Sequence, residues 1–472
     1  MDDPEPTAEP APDSASNPHP VSEPPPLDTD NDRPPQNSPS INLVAENLIS
    51  REPSQSSKDS FYTSAQWTAD GTSLLVSSSL YSISTFVLPD DLLDPASSHP
   101  RHLEPQSSIA LPEPSQTVVA APFYSLADPA SSHPRHLEPQ SSIALPEPSQ
   151  TVVAAPFYSL ADPASQTVLV GCRDHPIQLY HLFPPEQDGV VSRAAPLASY
   201  KLIRQETEEY ITPSSMLWEA PGTHFLCGSA NRLDYFDTTR PGSDGPLLTI
   251  PTIPSKRFTA KGGGVGMKGT VAALAASPVD ANGSSIVAAG TWSRWIGLYD
   301  VHRTDKVISN WALPRPDDLD GASGGQGVIQ VRWSPCGRYL VINERHASGI
   351  VVYDIRGVGQ LLCTLKGRNA PTQQKMTLDV FSGDPYAQTP SFEVWTGTHD
   401  GGVVVWEGVG SQAGAVEPSW DWKAHDAPVG STALHSSGSV VATCSGGWGF
   451  GESAGAQTVF EESSVKVWSI GG

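Results

Sequence analysis

Four arginines recur in short polar segments between apolar runs: Arg173 in CRDH, Arg232 in ANR, Arg294 in TWSR and Arg345 in ERH. Histidines and tryptophans accompany them along the chain, namely His175, Trp292, Trp295, His346 and, in a later Gly-rich segment, Trp448. A guanidinium group binds phosphates and carboxylates, and indole and guanidinium faces stack on unpaired bases. Together these residue types favour the binding of RNA or of an acidic peptide.

The same arginines have a second interpretation, in which each forms an ion pair within the fold. Asp174 follows Arg173 directly, and Glu344 directly precedes Arg345. Charges on surface hairpins often pair with an acid of the neighbouring element, and such pairs contribute to structure rather than to recognition. The sequence leaves both interpretations open.

No catalytic, cofactor-binding or metal-binding constellation accompanies these residues. The chain contains no GxxxxGK[ST], GxSxG or HExxH motif and no kinase signature. Its 13 histidines are scattered, and its five cysteines occur singly, without the CxxC pairs of zinc sites or a disulfide framework. We therefore expect a protein that is not an enzyme and has no cofactor, no metal and no small-molecule substrate.

The composition favours many short strands joined by turns. Of the 472 residues, 38% are hydrophobic, 17% are charged, 40 are Gly and 46 are Pro. No apolar run reaches the roughly 18 residues of a membrane helix, and the acidic N-terminus does not resemble a secretory signal. The net charge of −23 argues against a general nucleic-acid coat but permits a local basic patch.

A loose period of about 40 to 60 residues, in the range of propeller blades, governs the chain. Each unit has an alternating strand, a turn with Gly, an apolar strand, a short hairpin and a further alternating strand, as in 61–88 and 328–356. An aromatic residue closes the third strand of each unit: Phe86, Tyr180, Phe236, Tyr299, Tyr353, Trp406 and Trp468. The pattern predicts an all-β fold, a seven-bladed WD40-type β-propeller.

This architecture would position the four arginines. In a propeller every hairpin between the second and third strand of a blade emerges on the same face, so consecutive blades would carry the arginines as a basic rim. The last unit supplies three strands, and the otherwise unassigned INLVAENLIS (41–50) could pair with it and close the ring. Trp67, Trp218 and Trp333, on first strands, are predicted to be core residues.

Two further segments complete the predicted domain organisation. Residues 1–40 hold nine acidic residues and one Arg, with few large apolar residues, and are predicted to be a disordered Pro/Ser/acidic tail before a propeller at 41–472. Residues 94–127 recur without change as 128–161. We expect one copy to be a looped-out insertion and the second copy to be used, because it runs directly into TVLVGC.

Several runs resemble the telomerase Cajal-body WD-repeat protein family, which includes fungal spliceosome-associated relatives. They are FYTSAQWTADGTSLLV (61–76), RDHPIQLY (173–180), NRLDYFDTTRPGSDG (231–245), GTWSRWIGLYD (290–300) and ERHASGIVVYDIR (344–356). The resemblance extends over roughly residues 45–472. It implies a nuclear adaptor that binds small nuclear RNAs, telomerase RNA among them, or their ribonucleoproteins, and other protein subunits. The duplicated segment and Tyr180-His181, where a Trp-Asp pair is typical, depart from the family pattern.

Two functions from different classes compete at this point. The first is a non-catalytic adaptor for Cajal-body or spliceosomal small nuclear RNA; the second is a general protein-interaction scaffold with no direct RNA contact. RNA binding through the arginine rim weakens steeply with salt, whereas a hydrophobic protein interface does not. Neither function involves a membrane.

Overall fold

The three-dimensional structure is a computed structural model. All residues that it describes belong to the second of the two units into which the chain divides, residues 38–472. The described ranges are 39–48, 61–67, 73–79, 82–88, 101–102, 107–110, 149–157, 165, 167–181, 196–242, 245–253, 266–280, 283–315, 318–319, 324–357, 359–382, 391–450, 457–460 and 462–471. The predicted tail therefore lies outside the described residues, apart from its last two positions.

Every regular element in the described ranges is a β-strand. In chain order the first strands are β1 (Ser40–Leu48), β2 (Tyr62–Trp67), β3 (Ser73–Ser78), β4 (Ser82–Val87), β5 (Arg101–His102), β6 (Ser107–Ala110), β7 (Ser149–Ala154), β8 (Thr167–Cys172), β9 (Ile177–His181) and β10 (Ala198–Tyr200). Next come β11 (Ser215–Trp218), β12 (His224–Ser229), β13 (Arg232–Asp237), β14 (Leu248–Pro251), β15 (Val271–Ala276), β16 (Val287–Thr291), β17 (Trp295–Tyr299), β18 (Val307–Ala312), β19 (Val328–Trp333), β20 (Tyr339–Glu344) and β21 (Ile350–Asp354). The last are β22 (Leu361–Leu365), β23 (Leu378–Ser382), β24 (Phe392–Gly397), β25 (Gly402–Val409), β26 (Gly414–Val416), β27 (Trp420–Lys423), β28 (Val429–Leu434), β29 (Val440–Ser445), β30 (Trp448–Phe450), β31 (Gln457–Val459) and β32 (Ser464–Gly471).

Most strands of the described chain form seven sheets of four or five strands. In chain order they are sheet 1 (β2-β3-β4-β6), sheet 2 (β7-β8-β9-β10), sheet 3 (β11-β12-β13-β14), sheet 4 (β15-β16-β17-β18), sheet 5 (β19-β20-β21-β22, with β26), sheet 6 (β23-β24-β25-β27) and sheet 7 (β28-β29-β32-β1, with β5). β30 and β31 form a separate pair. The all-β prediction is confirmed, and a series of four-stranded antiparallel sheets is typical of a WD40 propeller.

The sequence explains why each sheet is built this way. The second strands β20 (YLVINE) and β29 (VVATCS) are buried along their whole length, as expected for a strand covered on both faces. The turns that precede them place glycines with positive φ, Gly337 at 68° and Gly438 at 75°, as the Cys-Gly and Ser-Gly pairs predict. Each unit of the sequence period therefore forms one meandering sheet.

The sheets pack against one another through apolar clusters. Six clusters fill the junctions between successive sheets from 2 to 7 and between sheets 7 and 1. Trp218 and Trp333 are buried, as predicted for core residues, and the half-buried Trp67 donates its indole N–H to the Ala433 carbonyl of the adjacent sheet at 2.9 Å. Trp333 donates likewise to Ala275 at 3.1 Å. First strands are thus tied to neighbouring first strands by polar as well as apolar contacts.

The two ends of the described chain meet in sheet 7. β1 pairs antiparallel with β32 from Ser40↔Gly471 to Leu48↔Ser464, with a register shift between Leu43 and Ala45. Ala45 and Asn47 are buried by this pairing and by sheet 1, where Tyr62 donates its hydroxyl to Asn47 Oδ1 at 2.8 Å. The predicted pairing of the 41–50 segment with the last strand is confirmed.

The duplicated segment contributes strands from both of its copies. β5 and β6 come from the first copy, and β6 is the outer strand of sheet 1; β7 comes from the second copy and is the first strand of sheet 2. Strands therefore come from both copies rather than from the second copy alone, and the looping out of one copy's length stays a prediction. One repeat carries both an outer strand (SSIA) and a first strand (SQTVVA), so the duplication falls between them; residues 111–148 lie outside the described residues.

A buried polar network links β29 and β32 to the segment before β28. His425 contacts Glu462 Oε1 through Nδ1 at 2.9 Å and Thr443 Oγ1 through Nε2 at 2.7 Å. Trp468 donates its indole N–H to the same hydroxyl at 2.9 Å, and Lys466 Nζ lies 2.9 Å from Glu462. Because these groups are covered by protein, each polar atom needs a partner inside the fold.

Removal of β1 should destabilise the protein far more than removal of the tail. Deleting residues 1–48 takes a paired strand from sheet 7 and exposes the edge of β32, so we expect the unfolding midpoint to fall by at least about 5 °C, with aggregation. Deleting residues 1–38 serves as the control and should leave the midpoint unchanged. Thermal unfolding followed by circular dichroism measures both, and equal midpoints would contradict the contribution of β1.

The His425 network should make the fold sensitive to acid. Burial lowers the pKa of His425 from its ordinary value of 6.5, although the hydrogen bond to Glu462 opposes this. Burial acts to raise the pKa of Glu462, but hydrogen bonds from His425, Ser464, the Asp426 N–H and Lys466 outweigh it and lower that pKa. Both lowered values mean that the contribution is complete above the unfolded-state pKa and is lost as pH falls.

We therefore expect the unfolding midpoint to decrease as the pH is lowered from about 7.5 to about 5, starting near the ordinary pKa of His. His425→Gln cannot be protonated and should flatten the upper part of this decrease. Calorimetry of both proteins across the pH range provides the comparison. Identical pH profiles would show that His425 does not contribute.

Candidate functional site

The hairpins between second and third strands share one backbone geometry in sheets 2 to 5. A non-glycine residue adopts positive φ in each: Asp174 at 56°, Asn231 at 59°, Arg294 at 65° and His346 at 55°. Non-glycine residues seldom adopt this conformation, so its repetition identifies the four hairpins as structurally equivalent. The arginines noted in the sequence thus lie in or beside corresponding turns.

Backbone contacts join the hairpins of sheets 3, 4 and 5 into one surface. Asn231 accepts a hydrogen bond on Oδ1 from the Gly269 N–H at 2.7 Å, and the Trp292 N–H donates to the Thr270 carbonyl at 3.1 Å. Gly327 approaches the Trp292 backbone so closely that an added Cβ would lie 2.6 Å from its carbonyl oxygen. A side chain larger than hydrogen would therefore separate the two segments.

The same surface continues towards sheet 7. The N–H of Gln326 donates to the Arg345 carbonyl at 2.8 Å, and the Gln326 side chain accepts from Gln373 at 2.7 Å. Gln374 then donates to the Gly446 carbonyl at 2.9 Å. We call this region the hairpin surface: residues 230–232, 266–270, 291–295, 324–327, 344–349, 366–377 and 445–448.

Arg294 is held by an ion pair within this surface. Its Nε donates to Glu344 Oε1 at 2.7 Å and its Nη2 to Glu344 Oε2 at 3.0 Å, with a further bond to the Pro314 carbonyl at 2.9 Å. The Arg294 side chain is 20% exposed and that of Glu344 4%. This fork between adjacent sheets neutralises the arginine and satisfies the buried carboxylate.

Arg232 is neutralised in a similar way. It forms a forked ion pair with the fully buried Asp234 on its own strand β13. Burial raises the pKa of Asp234, whereas hydrogen bonds from Arg232 and Thr249 act against this rise. For Arg232 and Arg294 the structure therefore shows the ion-pair arrangement that the sequence had left open.

Among the described residues, the side-chain contacts of Arg173 and His175 are local to their own hairpin. Arg173 is 69% exposed and its Nε lies 3.6 Å from Asp174, while His175 contacts the Arg173 carbonyl at 2.8 Å. Their hairpin belongs to sheet 2, and the contacts that join sheets 3, 4, 5 and 7 on the hairpin surface do not include it. An exposed ion pair of this length contributes little to stability.

The remaining predicted residues divide into exposed and half-buried groups. Trp292 is 53% exposed and Trp448 is 46% exposed, the latter in a T-shaped contact with Phe61 at a ring-centroid distance of 5.4 Å. Trp295 is half-buried and packs in the apolar cluster between sheets 3 and 4. Two indoles are therefore partly accessible to a partner on this surface.

Arg345 differs from the other arginines. Its Nε is buried without a hydrogen-bond partner, and within the described ranges its guanidinium group forms no ion pair. The neighbouring His346 is half-buried in the left-handed turn. Three of the predicted arginines, Arg232, Arg294 and Arg345, lie on the hairpin surface. Of these three, Arg345 is the one whose charge is not paired with an acid among the described residues.

Three cations near Arg345 were missed in the sequence. Arg332 is an exposed residue of β19; Arg368 and Lys375 lie in the loop between β22 and β23. They lie outside the hairpins between second and third strands, where the sequence pattern predicted the basic rim. A detectable signal was nevertheless present, since residues 361–378 (LLCTLKGRNAPTQQKMTL) hold three basic residues and no acidic one.

A histidine–carboxylate pair was also missed. His302 Nε2 lies 3.3 Å from Glu219 Oε2, and His302 Nδ1 lies 3.2 Å from the Tyr235 hydroxyl. Ser285 donates to Glu219 Oε1 at 3.1 Å. Burial raises the pKa of Tyr235, so its phenol stays protonated and acts as a hydrogen-bond donor. The group connects sheets 3 and 4 and contributes to their packing.

Within the described ranges, no helix is long and apolar enough to cross a membrane. No group of three or more His, Cys, Asp or Glu side chains in the same ranges is placed to hold a metal ion.

Comparison with known proteins identifies relatives over about half of the chain. A guanine nucleotide-binding protein negative regulator 1 from Schizosaccharomyces pombe is 26% identical over 51% of this chain and 52% of its own length. Telomerase Cajal body protein 1 from Rattus norvegicus is 26% identical over 58% of this chain and 44% of its own. Protein SWT21 from Zygosaccharomyces rouxii is 27% identical over 53% of this chain and 52% of its own.

The resemblance to telomerase Cajal-body proteins is thereby confirmed as a similarity of sequence. The chain spans about half the length of the curated relatives it matches. No protein-family model matches it. None of the three names is that of an enzyme.

The ion pair of Arg294 should matter for stability. Arg294→Ala leaves Glu344 as a buried carboxylate without its cation, so we expect a loss of about 3 kcal/mol in the free energy of unfolding. Adding Glu344→Gln should recover part of this loss. The exposed Arg173→Ala is the control, with a change below about 0.5 kcal/mol. Urea denaturation measures all three, and equal effects of Arg294→Ala and Arg173→Ala would exclude a structural role.

Proposed function

We propose that this protein is a non-catalytic, nuclear adaptor that binds small nuclear RNA or its ribonucleoprotein through the hairpin surface. The observation that carries the proposal is the combination, on one surface, of exposed indoles and uncompensated cations. Trp292 and Trp448 supply the indoles, and Arg345 supplies a charge that no described group balances. Unpaired bases stack on indole rings while cations bind the backbone, which is the usual chemistry of single-stranded RNA recognition.

The architecture that we propose for this adaptor is a closed, seven-bladed propeller. Each of the seven sheets would be one blade, and β1 would be the outer strand of the blade that also contains β32. Closure would further require sheets 1 and 2 to pack as the other neighbouring sheets do. A closed ring leaves no long first-strand edge exposed, which favours it over an open array.

The charge of the whole chain supports a localised binding site. With a net charge of −23, most of the molecular surface repels a polyanion, so RNA would be attracted only where cations exceed acids. The hairpin surface meets this condition around Arg345, whereas Arg232 and Arg294 are already neutralised by acids. An acidic protein with one basic region would orient its ligand as well as bind it.

The relatives support the same proposal. One is named for telomerase and the Cajal body, and its matched segment covers more than half of this chain. We extend to this chain an association with RNA or ribonucleoprotein and with protein subunits in the nucleus. The polar pairs His302–Glu219 and Arg294–Glu344 each connect neighbouring sheets, and a role in packing favours an adaptor over an enzyme.

A general protein scaffold without RNA contact is the alternative. The exposed indoles would suit it, because Trp is enriched at the centres of protein interfaces. The uncompensated cations favour RNA instead, since they would have to be desolvated without a partner in an apolar interface. Salt dependence separates the two, because RNA binding releases counterions and an apolar interface does not.

Crosslinking of the tagged protein to RNA in its own cells, followed by sequencing, is the direct test. We expect small nuclear RNAs or telomerase RNA to be enriched. With the purified chain, Trp292→Ala and Trp448→Ala should each weaken binding of a recovered RNA fragment by about 1–3 kcal/mol in fluorescence anisotropy. Phe157→Ala is the matched control, since Phe157 is 44% exposed and packs on the opposite end of the sheets, beside Gly222.

Three results would contradict the proposal. The first is recovery of no RNA above background from intact protein. The second is an affinity that does not change with salt. The third is an equal loss of affinity for Phe157→Ala and the two Trp variants.

A further inference from the structure

Three cations lie where the loop 366–377 packs on the hairpin between β20 and β21, and a fourth, Arg332, lies on β19 opposite Val341, close enough to influence Lys375. We call Arg332, Arg345, Arg368 and Lys375 the cation cluster. Arg368 joins the two segments, since it donates to Asn343 Oδ1 on β20 and to the Met376 carbonyl at 3.2 Å. The Gln373–Gln326 hydrogen bond, with Gln326 bound in turn to the Arg345 carbonyl, fixes the loop beside Arg345.

Glu344, the acid closest in sequence to the cluster, is already paired with another arginine. Glu344 adjoins Arg345, yet both of its carboxylate oxygens receive the fork of Arg294, and Oε2 also accepts from the Gly325 N–H at 3.3 Å. The hydrogen bonds of Arg368 end on amide and carbonyl oxygens, which carry no net charge. Glu344 therefore balances Arg294 and leaves the charge of Arg345 uncompensated.

Two guanidinium groups of the cluster retain unused donors. Arg368 is 1% exposed, and its Nε, like that of Arg345, is buried without an acceptor. Burial lowers the pKa of Arg368 to about 10, which still leaves it charged at neutral pH. A buried cation that meets only neutral acceptors is costly, and an external anion nearby would offset part of that cost.

Lys375 and Arg332 add accessible positive charge. Both side chains are exposed, and Arg332 stands between the buried Val331 and Trp333 on the first strand of sheet 5. Lys375 is nevertheless enclosed enough that desolvation lowers its pKa, with Arg345 and Arg332 lowering it further. Because these like charges repel one another, an anion bound among them would be favoured.

We propose that the cation cluster is a phosphate-binding site that receives backbone phosphates of the RNA bound by the hairpin surface, an inference that rests on the proposed function. Arg345 and Lys375 contact the phosphate oxygens, and Arg332 and Arg368 contribute through their charge. The loop that carries Lys375 also contacts Gly446, two residues before the exposed Trp448. A phosphate bound in the cluster therefore lies beside the loop that contacts the Trp448 segment, and a nucleotide, unlike an acidic peptide, could use that indole for stacking.

The test uses the full-length chain with Arg345→Gln, Lys375→Gln and, as the control, Arg338→Gln. Arg338 is an exposed cation in the first hairpin of sheet 5, at the opposite end from Arg345, so it loses the same charge away from the cluster. Each variant is titrated with pyrophosphate by calorimetry, and with single-stranded RNA and oligoglutamate by fluorescence anisotropy over a range of salt. Circular dichroism confirms that every variant is folded.

We expect Arg345→Gln and Lys375→Gln each to weaken RNA binding about tenfold and to reduce the slope of log K against log salt by about one. Pyrophosphate binding should be lost in both variants, and Arg338→Gln should match the wild type. RNA binding that is unaffected by the cluster variants would overturn the site and leave the proposed function standing. Cluster-dependent binding of pyrophosphate without RNA binding would overturn the RNA function and show a site for free phosphates. Cluster-dependent binding of oligoglutamate alone would overturn both in favour of an acidic protein partner.

Discussion

A four-stranded antiparallel sheet with two apolar faces cannot be stable by itself in water, and the structure depends on this constraint. Since no α-helix occurs among the described residues, neighbouring sheets cover one another, at six junctions from sheet 2 to sheet 7 and between sheets 7 and 1. The fully buried second strands β20 and β29 show the result directly. Large aromatic residues such as Tyr299, Tyr353 and Trp406 fill the space between sheets once per unit, and this repetition produces the aromatic period of the sequence.

The same constraint explains how the chain accommodates both its ends and its duplication. The last unit has only three strands of its own, and β1 pairs with β32 to bring sheet 7 to the size of the others. The duplicated segment, by contrast, adds residues to the chain. One repeat contains the sequences of both an outer strand and a first strand. The first copy supplies the outer strand β6 and the second copy supplies the first strand β7, so the additional residues lie between these two strands in the chain.

Sequence patterns predicted the elements well and the site only in part. Strand alternation, turn glycines and the recurring aromatics led to the all-β fold and to the pairing of the 41–50 segment, because these features depend on local geometry and on one buried face. The state of each arginine depends on which acid lies across a sheet boundary, as with Arg294 and Glu344, fifty residues apart. Spacing along the chain does not contain that information. The loop 366–377 was overlooked for the same reason, since its cations gain meaning only from the hairpin against which they pack.

The structure separates two uses of positive charge in an acidic protein. Where a cation serves the fold, an acid of matching geometry is buried with it, as in Arg232–Asp234 and Arg294–Glu344. Breaking such a pair leaves a buried charge alone and is costly, and the intact pairs attract no ligand because their fields cancel. Arg345 and Arg368 have no such acid among the described residues, and the hairpin surface that carries them also carries two exposed indoles. A surface in which the fold has left charge uncompensated, on a chain that otherwise repels polyanions, is where a phosphate-bearing partner gains the most from binding.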